Sequence, residues 1–234
     1  MTSAMTMTDS DDNRRPLRSR NSGLLRAFAA RLARTSVTPN QISVASIVFA
    51  GGGGAALLWL QPAWAGLLLC IVGTQLRLLC NLIDGLVAVE GGKASAVGAL
   101  YNEYPDRIAD TLLILALGVA AGEPWLGWLG ALLAALTAYI RLSGGALGLP
   151  QSFRGPLAKQ QRMAVLSLGC LAGMVEQALG HGGRWSLLSA AALIAAGSLL
   201  TCVLRTRDIG RLLRAREISA RSSASAVPGV DGAP

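Results

Sequence analysis

Charge is what this sequence has least of. Only 15% of its 234 residues are Asp, Glu, Lys or Arg, and aromatic residues make up 5%. A soluble domain carries about 25% charged residues. With 52% hydrophobic residues and a mean hydropathy of +0.48, the chain therefore reads as an integral membrane protein of one domain. Histidine is almost absent. His181, the single one, falls in a short Gly-rich connection and reads as a loop residue rather than a metal ligand. The four cysteines (Cys70, Cys80, Cys170, Cys202) lie singly inside apolar runs, which argues against disulfides and structural zinc and for small buried thiols. No apolar run starts before residue 40, so no cleavable signal segment is expected.

Acidic residues are also few, 13 against 21 Lys and Arg, for a net charge of +8. Such a balance would suit nucleic acid, but the arginines gather between and beyond the apolar runs. That is how cytoplasmic flanks face anionic lipid, so the expected partner is membrane lipid and not nucleic acid.

What is present is a series of six apolar stretches near 41–60, 64–88, 96–121, 125–143, 162–179 and 185–204, each about the 20 residues that cross a bilayer. The predicted fold is all-α integral membrane: six transmembrane helices with amphipathic surface helices at both ends. Residues 1–22 are polar, Arg-rich and aperiodic, hence disordered. In 23–35, Leu24, Leu25, Phe28 and Leu32 share one face and arginines fill the other, a short helix lying on the membrane surface. Residues 36–205 form the membrane domain and 206–234 a basic juxtamembrane helix and disordered tail, the helical part covering about 205–217. Thr38-Pro39-Asn40 opens the first span with Thr38 as cap. Gly51 to Gly54 inside that span predict close helix contact, and as an exposed face they would allow a dimer.

Orientation follows from Lys and Arg. Seven precede the first span, Lys93 lies in the 89–95 connection, and Arg141, Arg154, Lys159 and Arg162 surround the 141–162 connection. Arg205, Arg207, Arg211, Arg214, Arg216 and Arg221 follow the last span, whereas the opposite connections hold only Arg184. Both termini and those two connections are therefore expected on the cytoplasmic side of an inner membrane.

Against this apolar background, Asn81 to Asp110 places Asp84, Glu90, Glu103, Asp106 and Asp110 in or beside two spans. A carboxylate at the membrane centre costs roughly 2.5–3.5 kcal/mol even on the lenient insertion scale, so the group requires basic side chains, water or metal. Asn81, Asp84, Gly85 and Ala88 fall on one face of span two. Gly98, Asn102, Asp106 and Asp110 recur every four residues on span three, and Pro105 is expected to kink that helix beside them. Arg77, two turns before Asp84, reads as its structural ion-pair partner, with a substrate contact as the alternative.

The stretch resembles the signature of the CDP-alcohol phosphatidyltransferase family, D-x2-D-G-x2-A-R-x8-G-x3-D-x3-D. Here it reads Asn81-x2-Asp84-Gly85-x2-Ala88-Val89-x8-Gly98-x3-Asn102-x3-Asp106, with every interval kept and five of the eight defining residues in agreement. The Thr-Pro-Asn-Gln-Ile opening and the six-span layout resemble that family too, and the likeness covers about residues 36–205. It implies phospholipid synthesis: an alcohol hydroxyl displaces CMP from CDP-diacylglycerol, assisted by one or two divalent ions, Mg²⁺ or Mn²⁺, in a homodimer. It implies Asp106 as base, and Asp84 and Asp106 as metal ligands with amide help from Asn81 and Asn102; a second ion would need Glu103 or phosphate oxygens of the substrate. Gly85, Ala88 and Gly98 would make room for the CDP-lipid. Lys93 would stand in for the family arginine, which is Val89 here. Arg141, Arg154, Lys159 and Arg162 would bind the acceptor alcohol.

The departures are specific. Amides at positions 81 and 102 remove two negative charges from the expected four-aspartate set, defining a variant subgroup. A catalytically degenerate relative, and a small ion- or proton-coupled transporter, are the alternative readings. Clustering of the carboxylates at one end disfavours a path through the membrane.

Overall fold

The computed structural model describes residues 23–60 and 64–225, all helix and connecting turns. The expected disorder of 1–22 and of the last residues of the tail lies outside them. Seven helices follow in order: α1 Gly23–Ala33, α2 Pro39–Trp59, α3 Trp64–Glu90, α4 Gly98–Ala120, α5 Pro124–Ala146, α6 Lys159–Ala178 and α7 Arg184–Ser225.

Helix α2 begins where the sequence places it. Gln41 N donates to Thr38 Oγ1 at 3.3 Å and Thr38 N donates to Gln41 Oε1 at 2.9 Å, a reciprocal capping box that satisfies two otherwise orphaned amides. Pro39 occupies the first turn, where its missing N–H costs nothing.

Six helices close a ring: α2 packs on α3, α3 on α6, α6 on α7, α7 on α5, α5 on α4, and α4 back on α2. Two close approaches depend on glycine. A Cβ on Gly73 of α3 would stand 2.6 Å from Phe49 O and 2.9 Å from Gly53 Cα of α2, and one on Gly118 of α4 would stand 2.3 Å from Gly127 N of α5. The core between the helices is built on Leu57, Leu113, Ile114, Leu117, Met163, Leu166 and Ile194. α1 lies outside the ring and packs on α3, with Ala29 buried and Leu25 and Leu32 against Ile83, Leu86 and Val87; Phe28 stays exposed.

Among the described residues, four helices are long and apolar enough to cross a membrane: α2, α3, α5 and the first part of α7. α4 and α6 are of similar length, but α4 carries Glu103, Asp106, Arg107 and Asp110 and α6 opens on Lys159 and Arg162.

Two expectations are corrected. Gly53 and Gly54 are buried within the chain against α3 and α4, and of the four only Gly52 faces open space, so the four glycines do not form one exposed face. The basic stretch 205–217 is not a separate surface helix, and 218–225 is helical rather than disordered: both continue α7. Nothing breaks it, because Leu, Arg and Ala are strong helix formers and the weaker Thr206, Asp208 and Gly210 stand singly among them. Arg216 Nη1 donates to Leu147 O at 3.0 Å, and its Nη2 to Gly148 O, tying the extension to the C-terminal end of α5.

Candidate active site

One end of the ring gathers the polar side chains. It combines the start of α2 (Ser43), the end of α3 (Asn81, Asp84), the first half of α4 (Glu103, Asp106, Arg107, Asp110), the end of α5 (Thr137, Arg141) and the start of α6 (Lys159, Arg162). α3 and α4 touch only sparsely, and it is at this end that polar groups bridge them.

Asp106 is the hub. Its Oδ1 accepts from Asn81 Nδ2 at 2.5 Å and from Arg77 Nη2 at 3.3 Å. Its Oδ2 accepts from Lys159 Nζ, with Arg107 Nη2 at 3.8 Å. Asp110, one turn further, accepts from Arg77 Nη2 and from Arg162 Nη2 at 2.9 Å. Arg162 also donates through Nη1 to Leu157 O at 2.9 Å and Thr137 Oγ1 at 3.3 Å. Both arginines are sealed from solvent, Arg77 at 0% and Arg162 at 1% exposure. Such charges are tolerated there only because each meets a carboxylate. Asp84 is buried and accepts from Ser43 Oγ at 2.6 Å.

The connection before α6 sets the two basic residues in place. Gly155 adopts φ of +122°, and a Cβ there would meet the Thr201 side chain of α7 at 2.4 Å. Leu157 N then donates to Thr201 Oγ1 at 3.2 Å. The turn therefore lies tightly on α7 and starts α6 with Lys159 and Arg162 directed at α4.

Arg77 does not pair with Asp84; it reaches Asp106 and Asp110. Helical spacing put Arg77 and Asp84 on one face, but the neighbouring helix offers two carboxylates at shorter range. Lys93 is also not at the site: its ammonium donates to Thr35 O at 2.6 Å and Val37 O at 3.1 Å, joining the connection after α3 to that between α1 and α2. Arg154 pairs with Asp208 of α7 at 3.0 Å and its side chain is 73% exposed, away from Asp106. Arg141 lies at the edge, on Glu103 and on Gln151 Oε1 at 2.6 Å. Gly85, Ala88 and Gly98 are half-buried, and a Cβ on Gly98 would meet only Ser95 Oγ, at 3.5 Å. α4 runs on through Pro105 without interruption. Ser43, Thr137 and the Arg77 pairings were not legible in the spacing, because each joins residues distant in sequence.

These donors do not fit a pair of divalent ions. Glu103 gives Oε1 to Arg141 and has Arg107 3.8 Å from Oε2, which has no hydrogen-bond partner among the described residues, and Asp110 is held by two arginines. Asn102 is exposed on α4. Among the described residues, no three His, Cys, Asp or Glu side chains gather as a metal would require. Asp84 and Asp106 remain, and Asp106 already carries Lys159, Arg77 and Asn81. A divalent ion about 4 Å from the Lys159 ammonium would be repelled by roughly 8 kcal/mol at an effective dielectric constant of about 20.

The ring of helices and the polar end define a multi-pass helical membrane protein. No family model matches the chain; its relatives identify it. It is 32% identical over 143 residues to archaetidylinositol phosphate synthase of Aeropyrum pernix, covering 60% of this chain and 70% of that one. To the inner membrane protein YnbA of Escherichia coli it is 30% identical over 150 residues, covering 64% and 74%. A bifunctional IPC transferase and DIPP synthase of Rubrobacter xylanophilus is 36% identical over 159 residues, 63% of this chain and 34% of that longer one. The fold matches the crystal structure of Mycobacterium tuberculosis phosphatidylinositol phosphate synthase with CDP-DAG bound, at a TM-score of 0.65 and 21% identity over 80% of this chain and 93% of the other. The same synthase in complex with manganese and citrate also matches, with TM-score 0.65 and 21% identity over 79% of this chain and 88% of that one. The chain belongs to the CDP-alcohol phosphatidyltransferase family.

Proposed function

We propose that this chain is a phosphotransferase of phospholipid synthesis, moving a phosphatidyl group from CDP-diacylglycerol to the hydroxyl of an alcohol with release of CMP. The observation that carries the reading is the direct contact of Asn81 on α3 with Asp106 on α4. It joins the two halves of the signature in space, and two cationic side chains bear on the same carboxylate. The names of the relatives support the same chemistry: one synthesises archaetidylinositol phosphate, and the synthase of similar fold holds CDP-DAG.

In this reading the acceptor hydroxyl oxygen bonds to the phosphorus that bears the diacylglycerol. The bond from that phosphorus to the bridging oxygen breaks, and its electron pair leaves with CMP. The hydroxyl proton passes to Asp106. A carboxylate offers about four lone-pair sites, so Asp106 can hold its partners and still accept this proton. Gly85, Ala88 and Gly98 give the nucleotide a low-bulk approach, and Arg141, at the edge of the site, favours an anionic acceptor by charge-assisted hydrogen bonds; Arg162, sealed from solvent on Asp110, cannot reach one.

Six spans are part of this reading. α4 and α6 cross as members of the ring, with Asp106 and Asp110 turned to Lys159 and Arg162 rather than to lipid. Residues 36–205 form the catalytic domain, and both termini and the site face the cytoplasm. A homodimer would have to use a face other than the buried side of α2 that carries Gly53 and Gly54.

The test is CMP release by the protein in lipid nanodiscs supplied with CDP-diacylglycerol and, in parallel, glycerol 3-phosphate, inositol phosphate, inositol, serine or a glycolipid, each with and without Mg²⁺ or Mn²⁺. Release that needs one alcohol, and falls at least about 100-fold in Asp106→Ala, is the expected result. Silence with every acceptor from folded protein would reject the reading in favour of a degenerate relative.

A further inference from the structure

The amides at the signature positions and the lysine on Asp106 form one arrangement. Two aspartates brought as close as Asn81 and Asp106 would repel unless a cation or a proton lay between them. An asparagine removes that need, because its Nδ2 donates directly to Asp106 Oδ1 at 2.5 Å. Magnesium would require an oxygen ligand on each side at about 2.0–2.1 Å, which a direct contact of this length leaves no room for. On the other oxygen of Asp106 stands the Lys159 ammonium, and its side chain is 28% exposed, so a ligand can reach it.

We propose that the Lys159 ammonium occupies the position of the divalent ion at Asp106 and neutralises the substrate phosphates there, so that this chain carries out phosphatidyl transfer without metal at that carboxylate. The proposal rests on the transferase reading above. An ammonium has three donors and no acceptor. One N–H is on Asp106 Oδ2, and two are left for oxygens of the pyrophosphate, the bridging role a metal would fill between carboxylate and phosphate. Arg77 on Oδ1 and Arg107 near Oδ2 complete a cationic rim around Asp106. The charge lost by replacing two carboxylates with Asn81 and Asn102 is matched by a resident monovalent cation in place of divalent ones.

The proposal is tested on the full chain in nanodiscs of zwitterionic lipid by the loss of the free Mn²⁺ signal in electron paramagnetic resonance. The wild-type protein is expected to take up no more Mn²⁺ than empty nanodiscs, and the variant combining Asn81→Asp, Asn102→Asp and Lys159→Met to gain a bound ion. In the CMP-release assay, EDTA is expected to leave the wild type unchanged, whereas Lys159→Met falls about 100-fold, as on removing one preorganised donor from a developing charge. Stoichiometric Mn²⁺ uptake by the wild type that disappears in Asp106→Asn, or CMP release abolished by EDTA, would overturn the proposal. The wild-type measurements need no variant to fold. If no acceptor yields CMP under any condition, the transferase reading fails on its own account, and Mn²⁺ uptake still decides whether Lys159 holds the cation position.

Discussion

Asp110 compensates two buried charges at once. It faces two arginines that are sealed from solvent, and Arg77 depends on it heavily because its Nε and Nη1 have no hydrogen-bond partner among the described residues. Removing one member of a buried ion pair leaves the other charged and uncompensated, at a cost of about 3–5 kcal/mol. Asp110→Ala is therefore expected to lower stability in detergent by about that amount, read as denaturant- or heat-induced loss of helical signal, and Asp110→Asn by less because an acceptor oxygen survives. A fall in CMP release without a fall in stability would instead place Asp110 among the groups that touch substrate. The cluster was legible as residue types on two helices, since a spacing of four marks a face. Which cation meets which carboxylate was not. The Arg77–Asp84 pair inferred from one helix gives way to contacts 29 and 33 residues apart, because a neighbouring helix offers shorter paths than two turns of the same one.

Among the elements, α2 and α3 meet at backbone distance through Gly53 and Gly73. In lipid, no hydrophobic driving force separates helix contact from lipid contact, so small residues that allow close packing hold helices together. Gly73→Leu is expected to force α3 away from α2, destabilising the protein by about 1–3 kcal/mol, and to weaken CMP release as Asp84 moves from Ser43. Thermal unfolding of the purified variant measures the first effect. The glycine run announced close contact in the sequence; that the contact of Gly53 and Gly54 is internal depended on which helix lay opposite. The start of α2 was readable because a capping box is local. The continuity of α7 beyond its apolar part was obscured by the change from apolar to basic composition, although Arg and Leu favour helix equally well.

At the scale of the whole molecule, the basic connections lie on one side by sequence, and the polar cluster lies at one end of the ring by structure. Single cysteines replacing Ser95 and His181, in a chain freed of its native thiols, test whether these sides correspond. In right-side-out vesicles, a membrane-impermeant maleimide is expected to label position 181 and leave 95 untouched; the reverse would invert the topology. What the sequence determined by itself was whatever depends on neighbours along the chain: helical character, apolar runs of spanning length, the cap at Thr38, the signature intervals and their two amides. Only the tertiary structure decided how charge is disposed around Asp106. Lys159, 53 residues away, arrives there on α6, held by a turn tucked against α7, and Arg154, five residues earlier, points instead to Asp208. The physical reason is range. Hydrogen bonds within a helix and transfer from water act on each segment separately, whereas the partner of a buried charge is chosen by which helices the ring makes adjacent.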